Sequence, residues 1–153
     1  MATDLPAQDD YEVRVYDEKR RCRLVAAVEI VTPANKDRPE HRRAFVAKCA
    51  ALLRERVSVV IVDVVTARTP NLYGELLELI GQTDPNHSGD VPTYAAACRM
   101  TKQDEDWLLE AWSQSLVIGR PLPTVPLWLA DNLAIPLELE ASYEQSCGIL
   151  NLP

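Results

Sequence analysis

The sequence predicts an α/β protein with a mixed sheet, and three observations lead to that class. Residues 11–16 alternate between apolar and polar side chains, and residues 23–31 form an apolar run after a charged turn, which together predict a β-hairpin. An amphipathic helical stretch follows, and the β-branched segment 57–65 comes directly after it. A strand, a helix and a strand at this spacing form a right-handed crossover, so segments 23–31 and 57–65 are expected to run parallel.

The crossover helix is predicted to begin after Asp37, which would act as its N-cap. Glu40 stands three residues later and completes the sequence pattern of a capping box. Apolar side chains then recur at helical spacing, at Phe45, Cys49, Leu52 and Leu53. We expect this stripe to lie on the sheet and the helix to end near Arg56.

The second half of the chain predicts shorter elements. We expect a helix over 71–80, a loop over 81–91, a strand over 93–100, an extended surface segment over 120–126 and a closing helix over 136–147 that stops at Gly148. The pattern does not decide whether segment 107–112 is a helix or a strand. The acidic residues 104–106 suit a helix N-terminus, yet the segment also fits an edge strand.

The length and composition predict one globular domain. We assign it to residues 11–153, after a flexible N-terminal lead over residues 1–10. Apolar residues make up 47% of the chain and charged residues 25%, as expected for a protein with a buried core. No apolar run reaches the length of a membrane span and the start has no secretory signal pattern, so we expect no membrane partner and a cytoplasmic location.

Several functional classes lack their sequence signatures. The four cysteines contain no CxxC pair and there are only two histidines, which argues against a zinc site. The chain has no Gly-rich phosphate loop and no GxSxG motif. These absences argue against a nucleoside triphosphatase, a dinucleotide enzyme and an α/β-hydrolase.

The charges are distributed unevenly along the chain. Residues 11–56 hold twelve Lys and Arg against seven Asp and Glu, whereas residues 57–153 hold four against thirteen. The basic half, 11–56, could bind an anionic partner such as nucleic acid. The alternative is that these charges only cover solvated faces, and the overall charge of −7 counts against a dedicated nucleic-acid binder.

Glu29 interrupts the apolar strand two residues before its end. A buried carboxylate needs compensation, because burying an unpaired charge costs several kcal/mol. A hairpin that turns at residues 19–20 places Asp10 opposite Glu29, with Glu12 on the same face two positions along. Converging carboxylates predict a site for Mg²⁺ or Mn²⁺. A register slip of one residue would change which acids meet Glu29.

Asp63 lies near the carboxyl end of the neighbouring parallel strand, an edge that favours ligand sites, so we include it among the candidate metal ligands. Lys36 follows in the turn beyond this edge and is a candidate catalytic lysine that stabilises negative charge or orients water. Lys48 is a weaker candidate. It stands eleven residues after Asp37, which is about 16 Å along a helix axis.

Each of these residues also has a purely structural interpretation. Glu29 could pair with Lys36, with Arg14 or with a backbone amide. Asp63 could cap a loop or bind an arginine, and Lys48 could be a helix lysine that reaches solvent. The pattern alone does not decide between these alternatives.

Several motifs resemble one bacterial family in their order along the chain. Residues 28–36 (VEIVTPANK) resemble the VIEVLSPANK signature of the family described as domain of unknown function 4058. Further similarities are AFVAK at 44–48 to its YLxKR helix, VVIVDVV at 59–65 to its LVEIDLLR strand, GRPLPTVP at 119–126 to its PLPTIPIPL segment, and 136–143 to its final helix. The resemblance favours a strand for 107–112. The EVLSP core of this family is in turn similar to that of Uma-type proteins, which have the PD-(D/E)XK fold.

The resemblance implies a restriction-endonuclease-like core of β-hairpin, crossover helix and parallel strand, with further strands and a C-terminal helix. It implies that Glu29 is the central acidic metal ligand. The ExK pattern of PD-(D/E)XK proteins has a lysine two residues after this acid, where this chain has Val31. Lys36 or Lys48 would have to substitute, and Asp10 or Glu12 would replace the aspartate of the Pro-Asp dipeptide.

Two main hypotheses of function follow. The first is a phosphodiesterase or nuclease that uses Mg²⁺ or Mn²⁺ held by Glu29 with Asp10, Glu12 or Asp63. The second is a non-catalytic binding module that retains the fold. A homo-oligomer with an interface in the aromatic second half is a third possibility. Fold resemblance alone does not establish chemistry.

Overall fold

A computed structural model describes residues 11–87 and 90–152, so the predicted N-terminal lead over 1–10 lies outside the described residues. Five strands form one sheet in the order β1-β2-β3-β4-β5. Their bounds are β1 Tyr11–Asp17, β2 Arg23–Ile30, β3 Ser58–Asp63, β4 Tyr94–Gln103 and β5 Asp106–Ser115. Strands β2 and β3 are parallel and the other neighbours antiparallel. The predicted α/β class with a mixed sheet is confirmed.

The remaining elements are α1 Pro33–Asp37, α2 Pro39–Arg54, α3 Leu72–Leu79, β6 Thr124–Ala130, β7 Leu133–Glu138 and α4 Leu139–Leu150. Helices α2 and α3 pack on one face, and β6, which pairs with β7 in a separate hairpin, crosses the other. Within the described part of the chain, no helix combines the length and apolar character needed to cross a membrane.

Two hydrophobic cores lie on either side of the sheet. The core under the helices includes Phe45, Leu53, Ile61, Leu76 and Cys98. The core under β6 includes Ala26, Val60, Ala97, Val125 and Leu127. Strand alternation explains the division, because Val60 and Ile61 are neighbours in the chain and point to opposite faces. Strands β2 and β3 are therefore apolar on both faces, as their continuous apolar runs predict.

The β1–β2 hairpin has a different register from the predicted one. A 3₁₀ turn over Glu18–Arg20 and two residues with positive φ, Arg21 and Cys22, connect the strands. Strand β2 has a bulge at Val25, since Val15 pairs with Ala26 while Tyr16 pairs with Leu24. The longer turn and the bulge move the pairing by two residues, so Glu12 rather than Asp10 stands opposite Glu29. A shift of two residues preserves the face on which each side chain lies.

The predicted N-cap at Asp37 is wrong, because the polypeptide forms two helices there. Thr32 caps α1, and the Thr32 and Asn35 side chains and backbone amides form a reciprocal capping box. Arg38 is extended, with φ −131° and ψ 148°, and separates α1 from α2. Helix α2 thus begins at Pro39 and ends at Arg54, two residues before the expected end.

The last part of the chain differs from the prediction in its hairpin. Segment 107–112 lies in strand β5, as the resemblance favours. Pro126 was expected in a surface segment and Pro136 at a helix start, yet the two face each other in β6 and β7. Opposed prolines fit a non-hydrogen-bonded pair, where neither residue donates an N–H to its partner. Helix α4 begins at Leu139 and includes Gly148.

Candidate active site

Two glutamates face each other on the helix-covered face of the sheet. Glu12 of β1 and Glu29 of β2 are register partners. Side chains that stand opposite one another in an antiparallel pair have their Cβ atoms about 5 Å apart. The Glu29 side chain is 2% exposed and that of Glu12 is 21% exposed. The hairpin therefore places a buried carboxylate next to one that solvent reaches.

Lys48 of α2 contacts both carboxylates. Its Nζ lies 2.7 Å from Glu29 Oε2 and 3.6 Å from Glu12 Oε2. Arg14, two residues along the same strand face, places Nη2 2.8 Å from Glu12 Oε1. The ring of Phe45 lies 5.6 Å from Lys48 Nζ and forms an apolar wall beside it. We refer to Glu12, Glu29 and Lys48 as the acid–lysine cluster.

Each carboxyl group has a buried oxygen that faces the other carboxyl group. Among the described residues, no other group donates a hydrogen bond to Glu29 Oε1 or Glu12 Oε2, and the two carboxyl groups can hydrogen-bond to each other only when Glu29 carries the proton. Such buried acceptors are costly, because water no longer satisfies them. Each of these oxygens could instead bind a hydrated cation, which carboxylate oxygens suit.

The environment shifts the pKa values of the two acids in opposite directions. Burial raises the pKa of Glu29, the charge of Glu12 adds to this effect, and Lys48 opposes it. Burial also acts to raise the pKa of Glu12, but Lys48 and Arg14 outweigh it and the pKa is lowered. The two carboxylates repel each other when both are ionised, and a divalent cation between them would relieve this repulsion.

Lys36 and Asp63 form a second ion pair, separate from the cluster. Lys36 Nζ lies 2.6 Å from Asp63 Oδ2, and their side chains are 1% and 0% exposed. Asp63 Oδ1 accepts a hydrogen bond of 3.0 Å from the Val65 N–H, and Tyr94 also hydrogen-bonds to this carboxylate. Burial raises the pKa of Asp63, against the effect of Lys36 and these donors. The pair connects α1, the end of β3 and the start of β4.

The candidate residues are thus divided between two places. Glu12, Glu29 and Lys48 come together, Lys36 and Asp63 pair with each other, and Asp10 lies outside the described residues. The suggested pairing of Glu29 with Lys36 or with Arg14 is therefore not observed. In the described part of the chain, no three His, Cys, Asp or Glu side chains are grouped as metal ligands. Two carboxylates are nevertheless a common protein contribution to Mg²⁺, whose remaining ligands are waters and substrate phosphates.

Lys48, which the sequence pattern ranks below Lys36 as a candidate, is the lysine that lies beside Glu29. Helix α2 begins at Pro39 rather than after Asp37, so Lys48 stands nine residues from its start. Helical side chains also slant toward the N-terminus of their helix, which directs Lys48 back toward the sheet edge near Glu29. The contact of Arg14 with Glu12 was missed, although their i, i+2 spacing on a strand already placed them on one face.

Comparisons with known proteins returned no match. No family model matches the chain, and neither the curated proteins nor the solved structures contain a significant relative.

Proposed function

We propose that this protein is a phosphodiesterase that depends on Mg²⁺ or Mn²⁺, with Glu12 and Glu29 as the metal ligands and Lys48 as the catalytic lysine. The observation that carries the proposal is the buried carboxylate of Glu29 beside a second carboxylate, Glu12, and the ammonium group of Lys48. The resemblance to PD-(D/E)XK proteins supports the same roles. In this interpretation the lysine comes from α2 and replaces the one that would stand at Val31.

The cluster contains the groups that phosphodiester hydrolysis needs. When bound, the cation would activate a water molecule and polarise a phosphate oxygen. The carboxylates of Glu12 and Glu29 supply negatively charged oxygen ligands. Lys48 Nζ, 2.7 Å from Glu29, carries a positive charge that can stabilise the negative charge developing on the phosphate.

Solvent access distinguishes this cluster from the other ion pair. The side chain of Lys48 is 29% exposed and that of Glu12 is 21% exposed, so a ligand can reach them from outside. Lys36 and Asp63 are closed off from solvent and bind each other at 2.6 Å. The Lys36 side chain is thus inaccessible to a substrate in this structure. We therefore assign the chemistry to Lys48 and a structural role to Lys36 and Asp63.

The proposal also includes a class of substrate. Arg14 lies beside the cluster, is 47% exposed and belongs to the basic half 11–56, which supports a nucleic-acid phosphodiester as substrate.

We also propose a cytoplasmic location and a homo-oligomeric state. Exposed apolar side chains on β7 and α4, such as Ile135 and Ile149, support the latter. Light scattering at several protein concentrations tests it, and a concentration-independent monomer mass would contradict it.

Metal titration tests the proposal directly. We expect Mg²⁺ or Mn²⁺ at millimolar concentration to raise the Tm of the full chain and to support hydrolysis of a generic phosphodiester, because a ligand that binds the native state stabilises it. Glu29→Gln and Glu12→Gln should abolish both effects. Glu144→Gln on the exposed face of α4 changes the charge equally and should retain them. A metal-dependent shift of equal size in Glu29→Gln would overturn the assignment.

One observation favours the alternative of a non-catalytic module. Lys48 and Arg14 already neutralise the two glutamates, as in an ordinary structural ion-pair network. The variant Lys48→Met distinguishes a metal-dependent enzyme from a non-catalytic module. In a metal-dependent enzyme this variant keeps the metal-induced rise in Tm and loses turnover. In a structural network it loses stability, and neither the wild type nor the variant responds to the metal.

A further inference from the structure

A second polar cleft lies at the opposite edge of the sheet from the acid–lysine cluster. Strand β2 runs from Arg23 to Glu29 and beyond, so the two sites occupy opposite ends of the same strand. The cleft has a volume of about 200 Å³, and four arginines contribute to its wall. They are Arg20, Arg23, Arg56 and Arg99. Asp131 is the acidic side chain in this wall.

The arginines differ in how far their charges are compensated. Arg99 donates to Glu110 at 2.6 Å and to the Asp131 carbonyl at 2.9 Å. Arg20 lies 3.6 Å from an Asp17 oxygen. Among the described residues, neither Arg23 nor Arg56 has an acidic partner within ion-pair distance. The cleft therefore has an excess of positive charge on planar groups that suit phosphate oxygens.

An apolar cleft adjoins the arginine cleft. The two share Arg56 and Met100 in their walls. The second cleft has a volume of about 380 Å³, and Leu53, Ile80 and Trp107 contribute to it. Trp107 is 47% exposed, and the Arg56 guanidinium lies 4.8 Å from the centre of its ring. An exposed indole in an apolar wall offers a surface on which a planar ring can stack.

Together, these two clefts present a phosphate-binding half and a ring-binding half that meet at Arg56. We propose that they bind one nucleoside phosphate unit, with the phosphate at Arg23 and Arg56 and the base against Trp107. Single-strand binding proteins combine the same elements, a basic groove and an aromatic platform. The unit can come from a free nucleotide or from a single-stranded nucleic acid. This inference does not rest on the phosphodiesterase proposal.

Calorimetric titration of the full chain with AMP, with inorganic phosphate and with a short oligothymidylate tests the inference. EDTA in all samples keeps the metal-dependent cluster out of the measurement. We expect AMP or the oligonucleotide to bind more tightly than phosphate. Arg23→Gln and Arg56→Gln should each weaken binding about tenfold, because each removes a charge-assisted contact. Arg43→Gln, an exposed arginine of α2 outside both clefts, should change it less than twofold.

Trp107→Ala adds a second measurement, independent of charge. It should weaken AMP binding more than phosphate binding, because the base stacks on the ring, whereas the phosphate senses the ring only through the Arg56 guanidinium that lies over it. Tight binding of the oligonucleotide with weak binding of AMP would assign the site to a nucleic-acid strand, and equal binding would assign it to a free nucleotide. Binding of neither, or equal weakening by Arg23→Gln and Arg43→Gln, would overturn the inference. The nucleotide titrations contain EDTA and the hydrolysis assay contains the metal, so the two proposals can fail separately.

Discussion

The buried pair of Lys36 and Asp63 predicts a large loss of stability when either partner is removed. Both side chains are inaccessible to solvent, and the ammonium lies 2.6 Å from the carboxylate. Breaking such a pair leaves one uncompensated charge in the interior, which costs about 3–5 kcal/mol. We therefore expect Lys36→Met and Asp63→Asn to lower the free energy of unfolding by amounts within this range.

The polar contacts that remain to the unpaired residue predict which variant loses more stability. In Lys36→Met, Asp63 keeps hydrogen bonds from the Val65 N–H and from Tyr94. In Asp63→Asn, the described polar contact left to the Lys36 ammonium is the Arg68 carbonyl at 3.5 Å. We therefore expect about 3 kcal/mol for the lysine variant and about 5 kcal/mol for the aspartate variant. For a chain of this size these losses correspond to Tm decreases of about 6–12 °C and 10–20 °C.

The stability of Lys36→Met should also depend on pH. Burial already raises the pKa of Asp63, and loss of Lys36 raises it further. The folded variant then holds a proton that the unfolded chain, with an Asp pKa of about 3.9, releases. Its stability consequently decreases as the pH rises above about 4, until the pH passes the folded-state pKa. Asp63→Asn has no carboxyl at this position and should lack this dependence.

Urea unfolding followed by tryptophan fluorescence measures these effects, with the double variant Lys36→Met/Asp63→Asn completing a thermodynamic cycle. Because the double variant buries no charge, it should be more stable than Asp63→Asn alone. Lys102→Met, which removes an exposed lysine 3.6 Å from Glu105, is the matched control and should unfold as wild type. A cost below about 1 kcal/mol for Asp63→Asn, or strictly additive single variants, would refute the reasoning.

Three further predictions concern other parts of the fold. Burial lowers the pKa of His87, and hydrogen bonds outweigh burial to lower the pKa of Asp84. The unfolded chain therefore binds more protons than the folded one, and the urea midpoint should fall as the pH decreases below about 6.5. His87→Gln should make this decline less steep near pH 6. Asn35→Ala removes the capping box of α1 and should cost about 1–2 kcal/mol in urea unfolding, whereas an unchanged midpoint would contradict its role. Leu76→Ala should cost about 2–5 kcal/mol, because Leu76 is fully buried, and Leu79→Ala, 60% exposed, is its control.

The parallel pair at the centre of the main sheet could be predicted because its signals are local. The apolar runs of β2 and β3 and the intervening amphipathic helix identify a parallel pair without knowledge of any distant contact. The β6–β7 hairpin has no such signal. Its two prolines argue against a strand in the main sheet, and they are tolerated only because Pro126 and Pro136 face each other in a separate hairpin. Such a pairing depends on contacts that neither segment shows alone.

The acidic residues show why one part of the site was predictable and another was not. The period of a strand is two, so the turn and the bulge, which together shift the register by two residues, still leave Glu12 and Glu29 on the same face. The exact partner of Glu29 could not be predicted, because the bulge at Val25 lies inside an apolar run with no local signal. Sequence pattern therefore predicted the face of the acids but not their pairing.

Because Lys48 belongs to a helix, the position of its ammonium group and the positions of the carboxylates depend on different elements. A lysine on the strand itself would be placed by the same hairpin as the carboxylates. The hairpin register places Glu12 and Glu29, whereas the packing of α2 places the ammonium. Each residue turns a helix by about 100°, so the position of Lys48 depends on the rotation fixed by buried neighbours such as Phe45 and Cys49. Under the phosphodiesterase proposal, overpacking beneath α2, as in Cys49→Leu, should therefore displace Lys48 and reduce metal-dependent hydrolysis while leaving metal affinity almost unchanged. Equal losses of both would show that the helix and the hairpin do not act separately.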